Sequence, residues 1–200
     1  YFAEASKMRE ETNNLKEAQA RATEIENLLL SIVEKVKVVA SILYRPFSSE
    51  EDRQNALDLN FKTDLSLVAV EILELDTTGE VRLVRRTVNE DYLTEAGFDE
   101  TYIDEIREEK EFPVKSVFAG NVEIKNSSKE DGVPLITMGV PFAKDDFGRI
   151  THVAVAEIRL DRIQKAFSIA SERTSYLIDK QGRLLAHPND EWAMNAYSMH

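Results

Sequence analysis

Cysteine is absent from these 200 residues, which removes disulfide frameworks and thiolate metal sites without assigning a compartment. Only three histidines are present, and they show no ligand-cluster or triad spacing. No run of about 18 apolar residues occurs, so the chain as given holds neither a membrane-spanning helix nor a secretory h-region. Lysine and arginine are interleaved with acids and the formal charge is −12, so no basic stripe offers itself to nucleic acid or to an anionic membrane surface. Asp145-Asp146-Phe147-Gly148 superficially resembles a kinase's metal-binding turn. No G-x-G-x-x-G loop or H-R-D segment accompanies it, and it reads as a hairpin turn. What remains is 42% hydrophobic and 8% aromatic, enough for one core of about 100–150 residues and an extended element besides.

From about Ala3 to Leu43 there is neither glycine nor proline. Ala22, Ile25, Leu29, Ile32, Val36, Val39 and Leu43 step by three and four residues, the signature of a long amphipathic helix. The stripe weakens backwards through Ala18, Leu15, Glu11 and Met8, so the first half is expected to be exposed or loosely paired with a second copy. Seven apolar positions, at ~1.5–3 kcal/mol each when fully buried, outweigh the modest helix preference of Val and Ile, so tertiary or dimer packing has to hold this helix, and from Ile25 onward it is expected to pack on a sheet. Pro46 ends it, and Ser48-Ser49-Glu50-Glu51 starts a second helix running to about Phe61.

Strands are expected over Leu65 to Leu75, Val81 to Val88, Val117 to Ile124, Leu135 to Phe142 and Ile150 to Leu160. Short helices opening at Asn89-Glu90-Asp91 and at Asp99-Glu100 interrupt them after the second strand, the later one carrying Tyr102, Ile103 and Ile106 on one side. Asp161 opens a connecting helix through Ala166 and Phe167. Two strands, a helical insert and three strands is the order of a PAS-like antiparallel sheet. A strand, a D-x-x-G turn and a second strand occur at Leu73 to Leu83 and again at Leu177 to Leu185. The two copies lie roughly one small domain apart, which suggests successive domains of one design, the second cut short in what is expected to be a fragment of a larger protein.

The stretch Thr174-Ser175-Tyr176-Leu177-Ile178-Asp179-Lys180-Gln181-Gly182-Arg183-Leu184-Leu185-Ala186-His187-Pro188 resembles the opening of the membrane-proximal module of a double Cache domain. The resemblance covers nearly the whole chain. It implies an α+β fold with residues 1–47 as a stalk helix packed on a five-stranded antiparallel sheet, 48–160 as a membrane-distal PAS-like Cache module, 161–173 as a linker helix and 174–200 as the start of a truncated second module. It implies further an extracytoplasmic small-molecule sensor between two transmembrane helices, not itself an enzyme and without cofactor, feeding a cytoplasmic chemotaxis, kinase, cyclase or phosphatase region. Its ligand is expected in the distal module, between about Tyr92 and Glu157, with binding transmitted through the long helix and weak dimerisation along it. The alternative is a structural or dimerisation module that binds no small molecule.

Members of this family that bind free amino acids carry an Arg, Trp and Tyr cluster entering the third strand. The corresponding stretch here, Lys110-Glu111-Phe112-Pro113-Val114-Lys115-Ser116-Val117-Phe118, lacks it. Glu157 sits roughly where the family places an acid on the last strand; pointing inward it would need a cation, a ligand or a raised pKa, and pointing outward it would need none. Arg86 and Lys115 are either anchors for a ligand carboxylate or solvated strand-end cations. Tyr92, Tyr102 and Phe118, with Met138 beside them, are either pocket walls or ordinary core. His187 reads as a structural hydrogen-bonding residue.

Overall fold

The structure, a computed structural model, describes residues 2–47, 49–64, 66–76, 78–129, 132–167, 176–187 and 189–194. The chain forms two compact units, Tyr1–Glu34 and Lys35–His200. Helix α1 (Phe2–Tyr44) is continuous, as an uninterrupted stretch without glycine or proline dictates. In the first unit its Met8 and Leu15 are exposed, in keeping with the fading apolar stripe, while Ile25, Ile32 and Val33 are buried. Thr12 and Thr23 turn their hydroxyls back to donate to Met8 O and Gln19 O.

In the second unit the last turns of α1 bury Val36, Val39, Ala40 and Leu43. The ring of Tyr44 meets Phe142 and His152 edge-on at 5.6 and 4.8 Å, which seats this end of the helix on the sheet. Beyond Pro46, α2 (Glu50–Thr63) starts with Ser49 as its N-cap, the hydroxyl accepting from Asp52 N at 3.1 Å. The helix ends at Asp64, whose carboxylate takes the Ser66 N–H at 2.9 Å and Lys35 Nζ at 2.7 Å.

The sheet is antiparallel, in the order β2-β1-β5-β4-β3, with β1 Leu67–Leu75, β2 Val81–Val88, β3 Glu123–Asn126, β4 Leu135–Lys144 and β5 Ile150–Arg159. Between β2 and β3 lie α3 (Glu90–Glu95), α4 (Thr101–Glu109) and α5 (Val114–Phe118). Six consecutive residues of β1, Leu67 to Ile72, are buried, as expected of a strand covered on both faces. The expected strand over Val117 to Ile124 is overturned: Pro113 opens a short helix there, and Gly120, at φ +104°, ends it before β3 begins. The helical form lets Val114, Val117 and Phe118 all reach the apolar cluster around Val153 and Val155. Alternating strand geometry would have turned half of them away.

Successive side chains of a strand point to opposite faces, so register sorts the sheet into two surfaces. Ala69, Glu71 and Leu73 of β1 lie beside Glu157, Val155 and Val153 of β5, which lie beside Thr137, Gly139 and Pro141 of β4. The upper part of this row faces the helical insert. Ile72, Ala154, Ala156, Ile136 and Met138 belong to the other face, and all are buried.

The D-x-x-G turn occurs three times. Asp76, Asp145 and Asp179 each accept two backbone N–H groups through Oδ1, two and four residues on, and Gly79, Gly148 and Gly182 follow at φ near +80°. The β4–β5 copy lies inside the large sheet, so the turn by itself marks a hairpin and not a domain start. After α6 (Leu160–Phe167), β6 (Leu177–Ile178) and β7 (Leu184–Ala186) form a separate two-stranded ladder, followed by α7 (Asp190–Met194). Residues 168–173 of the expected linker, together with Thr174, Ser175, Pro188 and 195–200, lie outside the described residues.

Candidate functional site

Two apolar clusters occupy the insert-facing side of the sheet. One gathers Val68, Ala69, Leu93, Tyr102, Ile103 and Leu135 under α3 and α4. The other gathers Val117, Val153 and Val155 with Phe112 and Phe118 under α5. A polar layer separates them, built on Glu71 of β1, Arg86 of β2, Thr137 of β4, Glu157 of β5 and Arg107 of α4.

Arg107 is the hub of this layer. Its Nε donates to Glu71 Oε2 at 2.8 Å, its Nη1 donates to Glu157 Oε1, and the same Nη1 reaches Thr137 Oγ1 at 3.4 Å. Glu157 is fully buried. Thr137 Oγ1 donates to its Oε1 at 2.8 Å, and Ser127 Oγ donates to its Oε2 at 2.9 Å. Burial pushes the Glu157 carboxyl above its ordinary pKa, against the pull of Arg107, Thr137 and Ser127. Burial alone would lower the Arg107 pKa, but Glu157 and Glu71 hold it raised. On the outer side, Arg86 Nε donates to Glu71 Oε1 at 2.7 Å and its Nη2 to Asp104 Oδ1 at 2.5 Å, and these two acids raise its pKa, Asp104 most.

Of the residues singled out from the sequence, the structure brings Glu157 and Arg86 into one layer, with Glu157 pointing inward. Arg86 is neither a free anchor nor a solvated cation, because Glu71 and Asp104 engage it. Lys115 is exposed on α5. Tyr102 is buried in the first apolar cluster, its hydroxyl accepting from Val133 N at 2.9 Å, and Phe118 packs in the second. Met138 adjoins Thr137 in β4 and therefore lies on the face opposite Glu157. Tyr92 is half-buried, with the Arg159 guanidinium 4.5 Å above its ring. Both line an open cleft of about 560 Å³ with Asp58, Phe61, Val88 and Asn89.

The sequence reading singles out neither Glu71 nor Arg107. Glu71 carries a signal, the one carboxylate within the buried run Leu67 to Ile72 of β1. Arg107 lies one turn beyond Ile103 and next to Ile106 on the buried side of α4, where a cation has to answer a buried acid. His187 accepts the Asn189 N–H at Nδ1, 2.9 Å away, and stacks on Trp192 with ring centroids 4.6 Å apart, the structural role expected for it. Among the described residues no group of three or more metal-ligating side chains occurs, and no helix is long and apolar enough to cross a membrane.

No family model and no curated relative matches the chain. Solved structures share its fold. The ligand-binding domain of the Pseudomonas aeruginosa amino-acid chemoreceptor PctC, in complex with GABA, matches with a TM-score of 0.51 at 17% identity, over 92% of this chain and 78% of its own. The ligand-binding domain of the Pseudomonas fluorescens chemoreceptor CtaA, in complex with L-serine, matches with a TM-score of 0.52 at 16% identity, over 92% and 75%. The extracellular domain of soHK1S-Z6, a protein assigned as a histidine kinase, matches with a TM-score of 0.50 at 16% identity, over 87% and 69%. The chain thus has the α+β fold of these sensor domains, a long N-terminal helix with a PAS-like five-stranded antiparallel sheet.

Proposed function

We propose that this chain is the extracytoplasmic sensing region of a transmembrane receptor and that it binds a small molecule at the polar layer beneath α4. The observation that carries the proposal is Glu157, a fully buried carboxylate held by Arg107, Thr137 and Ser127. Apolar side chains of similar volume would commonly stabilise such an interior as well or better, and a group whose pKa is raised by burial beside a specific charge partner marks candidate functional sites. The fold shared with ligand-binding domains supports the same reading. With both signs of charge in one layer, the site suits a ligand that is itself amphoteric, whose anion would exchange with a glutamate at Arg107 while its cation meets Glu157. The Arg, Trp and Tyr cluster is missing, so a free amino acid would be held by this different set. The sensing region itself carries out no catalysis, residues 174–200 open a second module of the same kind, and the first half of α1, exposed at Met8 and Leu15, pairs weakly with a second copy.

A second reading is favoured by the closed chemistry of the layer. Each charged group in it has a partner of opposite sign, and a Cβ on Gly139 would stand 2.6 Å from Val117 Cγ2 and 2.8 Å from Phe112 Cε1, so α5 fills its side of the sheet. In that reading the layer is structural and the chain is an interaction module. A thermal-shift screen across amino acids, GABA, amines and organic acids separates the two, because a ligand at 100 times its Kd adds about 2.7 kcal/mol of stability. The sensing reading requires a shift that Glu157→Gln abolishes. No shift across the panel rejects it in favour of the structural one.

A further inference from the structure

The end of strand β3 and the residue after it make a contact to the C-terminal hairpin and a contact to the polar layer. Ser127, just past the end of the strand, donates its hydroxyl to Glu157 Oε2 at 2.9 Å. Asn126, the last residue of the strand and 1% exposed, donates both protons of its side-chain amide away from the layer, to Leu184 O of β7 at 2.7 Å and to Ala193 O of α7 at 2.8 Å. Its Oδ1 accepts the Ser128 N–H at 2.9 Å, so both amide protons and the oxygen are engaged. Ser128 is pinned in turn, its hydroxyl exchanging hydrogen bonds with Leu135 O and Leu135 N at 3.2 and 3.1 Å. One planar peptide unit separates the two contacts, and the pins on either side leave it little freedom to absorb a displacement locally.

We propose that the Asn126-Ser127 pair couples the polar layer to the hairpin segment, with Asn126 as a positioning residue that touches nothing in the layer itself. The proposal deepens the sensing reading and rests on it for its biological purpose: whatever shifts Glu157 shifts Ser127, and the same peptide carries the shift to β7 and α7. Three further contacts secure the receiving end. Gln164 of α6 brackets His187, its Oε1 accepting the His187 N–H at 3.0 Å and its Nε2 donating to His187 O. Lys180, in the β6–β7 turn, pairs with Glu123 at the start of β3 at 3.0 Å. Lys180 is largely exposed, so water and salt weaken its pair. The buried amide of Asn126, with three hydrogen bonds, has no such outlet and is the stiff connection.

Backbone hydrogen exchange over residues 177–187 in the full chain tests the coupling without any ligand. Ser127→Ala removes one hydrogen bond from Glu157 Oε2, and Thr137→Val removes one from Oε1 without removing any hydrogen bond of Asn126 or Ser127. Ser127→Ala is expected to speed exchange in this segment by at least about fivefold, the low end of ordinary coupling between sites, while Thr137→Val leaves it at the wild-type rate. In an Asn126→Ala background, Ser127→Ala is expected to add nothing further. An equal response to Ser127→Ala and Thr137→Val, or full additivity in the double variant, overturns the proposal. The contrast between the two single variants stands even if Asn126→Ala does not fold. Because exchange needs no ligand, an empty thermal-shift screen would reject the sensing reading and leave this result intact, and the converse holds as well.

Discussion

Replacing Arg107 with methionine removes the cation that Glu71 and Glu157 share. The two carboxylates, with side chains 3% and 0% exposed, then face one another across an apolar side chain. Breaking a buried ion pair from one side costs about 3–5 kcal/mol. Arg107 retains 22% exposure and water can partly replace it, so a loss of ~3 kcal/mol at neutral pH is expected, a large share of the ~5–15 kcal/mol that holds an ordinary domain together. The loss should depend on pH in a definite direction. A carboxyl whose folded pKa lies above its unfolded value binds more protons in the folded state, so its penalty is absent below the unfolded pKa and complete above the folded one. Burial already raises Glu157, and without Arg107 it should rise further, so the cost should shrink toward about pH 5 and be largest near about pH 8. Urea unfolding followed by far-UV circular dichroism at both pH values measures this. Adding Glu157→Gln to Arg107→Met should recover part of the loss. A loss no larger than the ~0.5 kcal/mol of a typical surface substitution, or one that does not change with pH, would refute the reasoning.

Gly139→Ala should destabilise by ~1–3 kcal/mol, because the new methyl would collide with Val117 and Phe112; a denaturation midpoint unchanged from wild type would show that α5 yields freely. Glu123 is the opposite case to Glu157: Ser116 first, then Lys180, hold its pKa below the ordinary 4.5, so its contribution is complete above that pH and is lost as pH falls through its folded value. Glu123→Gln should therefore flatten the acid limb of the stability profile between about pH 5 and pH 3, measurable by urea midpoints, and an unchanged limb would count against the Ser116 and Lys180 contacts. Asn89→Ala removes the cap that accepts Tyr92 N at 3.1 Å and should cost ~0.5–2 kcal/mol, seen as a lower urea midpoint.

The helices and most strands were legible because each follows from a local cause. α1 runs as far as the absence of glycine and proline allows, α2 begins where Ser49 caps it, and β2 occupies the expected Val81–Val88. The one misread element, Val117 to Ile124, holds few enough apolar residues that strand and helix periods fit equally well, and packing against Gly139, Val153 and Val155 decided for the helix. The site was half legible. Glu157 announced itself as an acid in an apolar strand, and Glu71 carries the same mark. Nothing local tells Arg86 from Arg85, or Arg107 from the other cations near it, because what selects them is which face of β2 and α4 they occupy once those elements are packed. Met138 shows the converse, a residue of the right type and neighbourhood that a single step of strand alternation places on the far side of the sheet.

The sequence alone determined where the chain can be helical, where it must turn at an Asp and a positive-φ glycine, and that thiolate chemistry and membrane-spanning helices are absent from this stretch, since all of these depend on a residue and its near neighbours. Only the tertiary structure decided that four charges from β1, β2, α4 and β5 converge under one helix, and that Asn126 and Ser127 look in opposite directions from one peptide. These partners lie 15 to 67 residues apart, and the free energy that pairs them comes from removing all of them from water together.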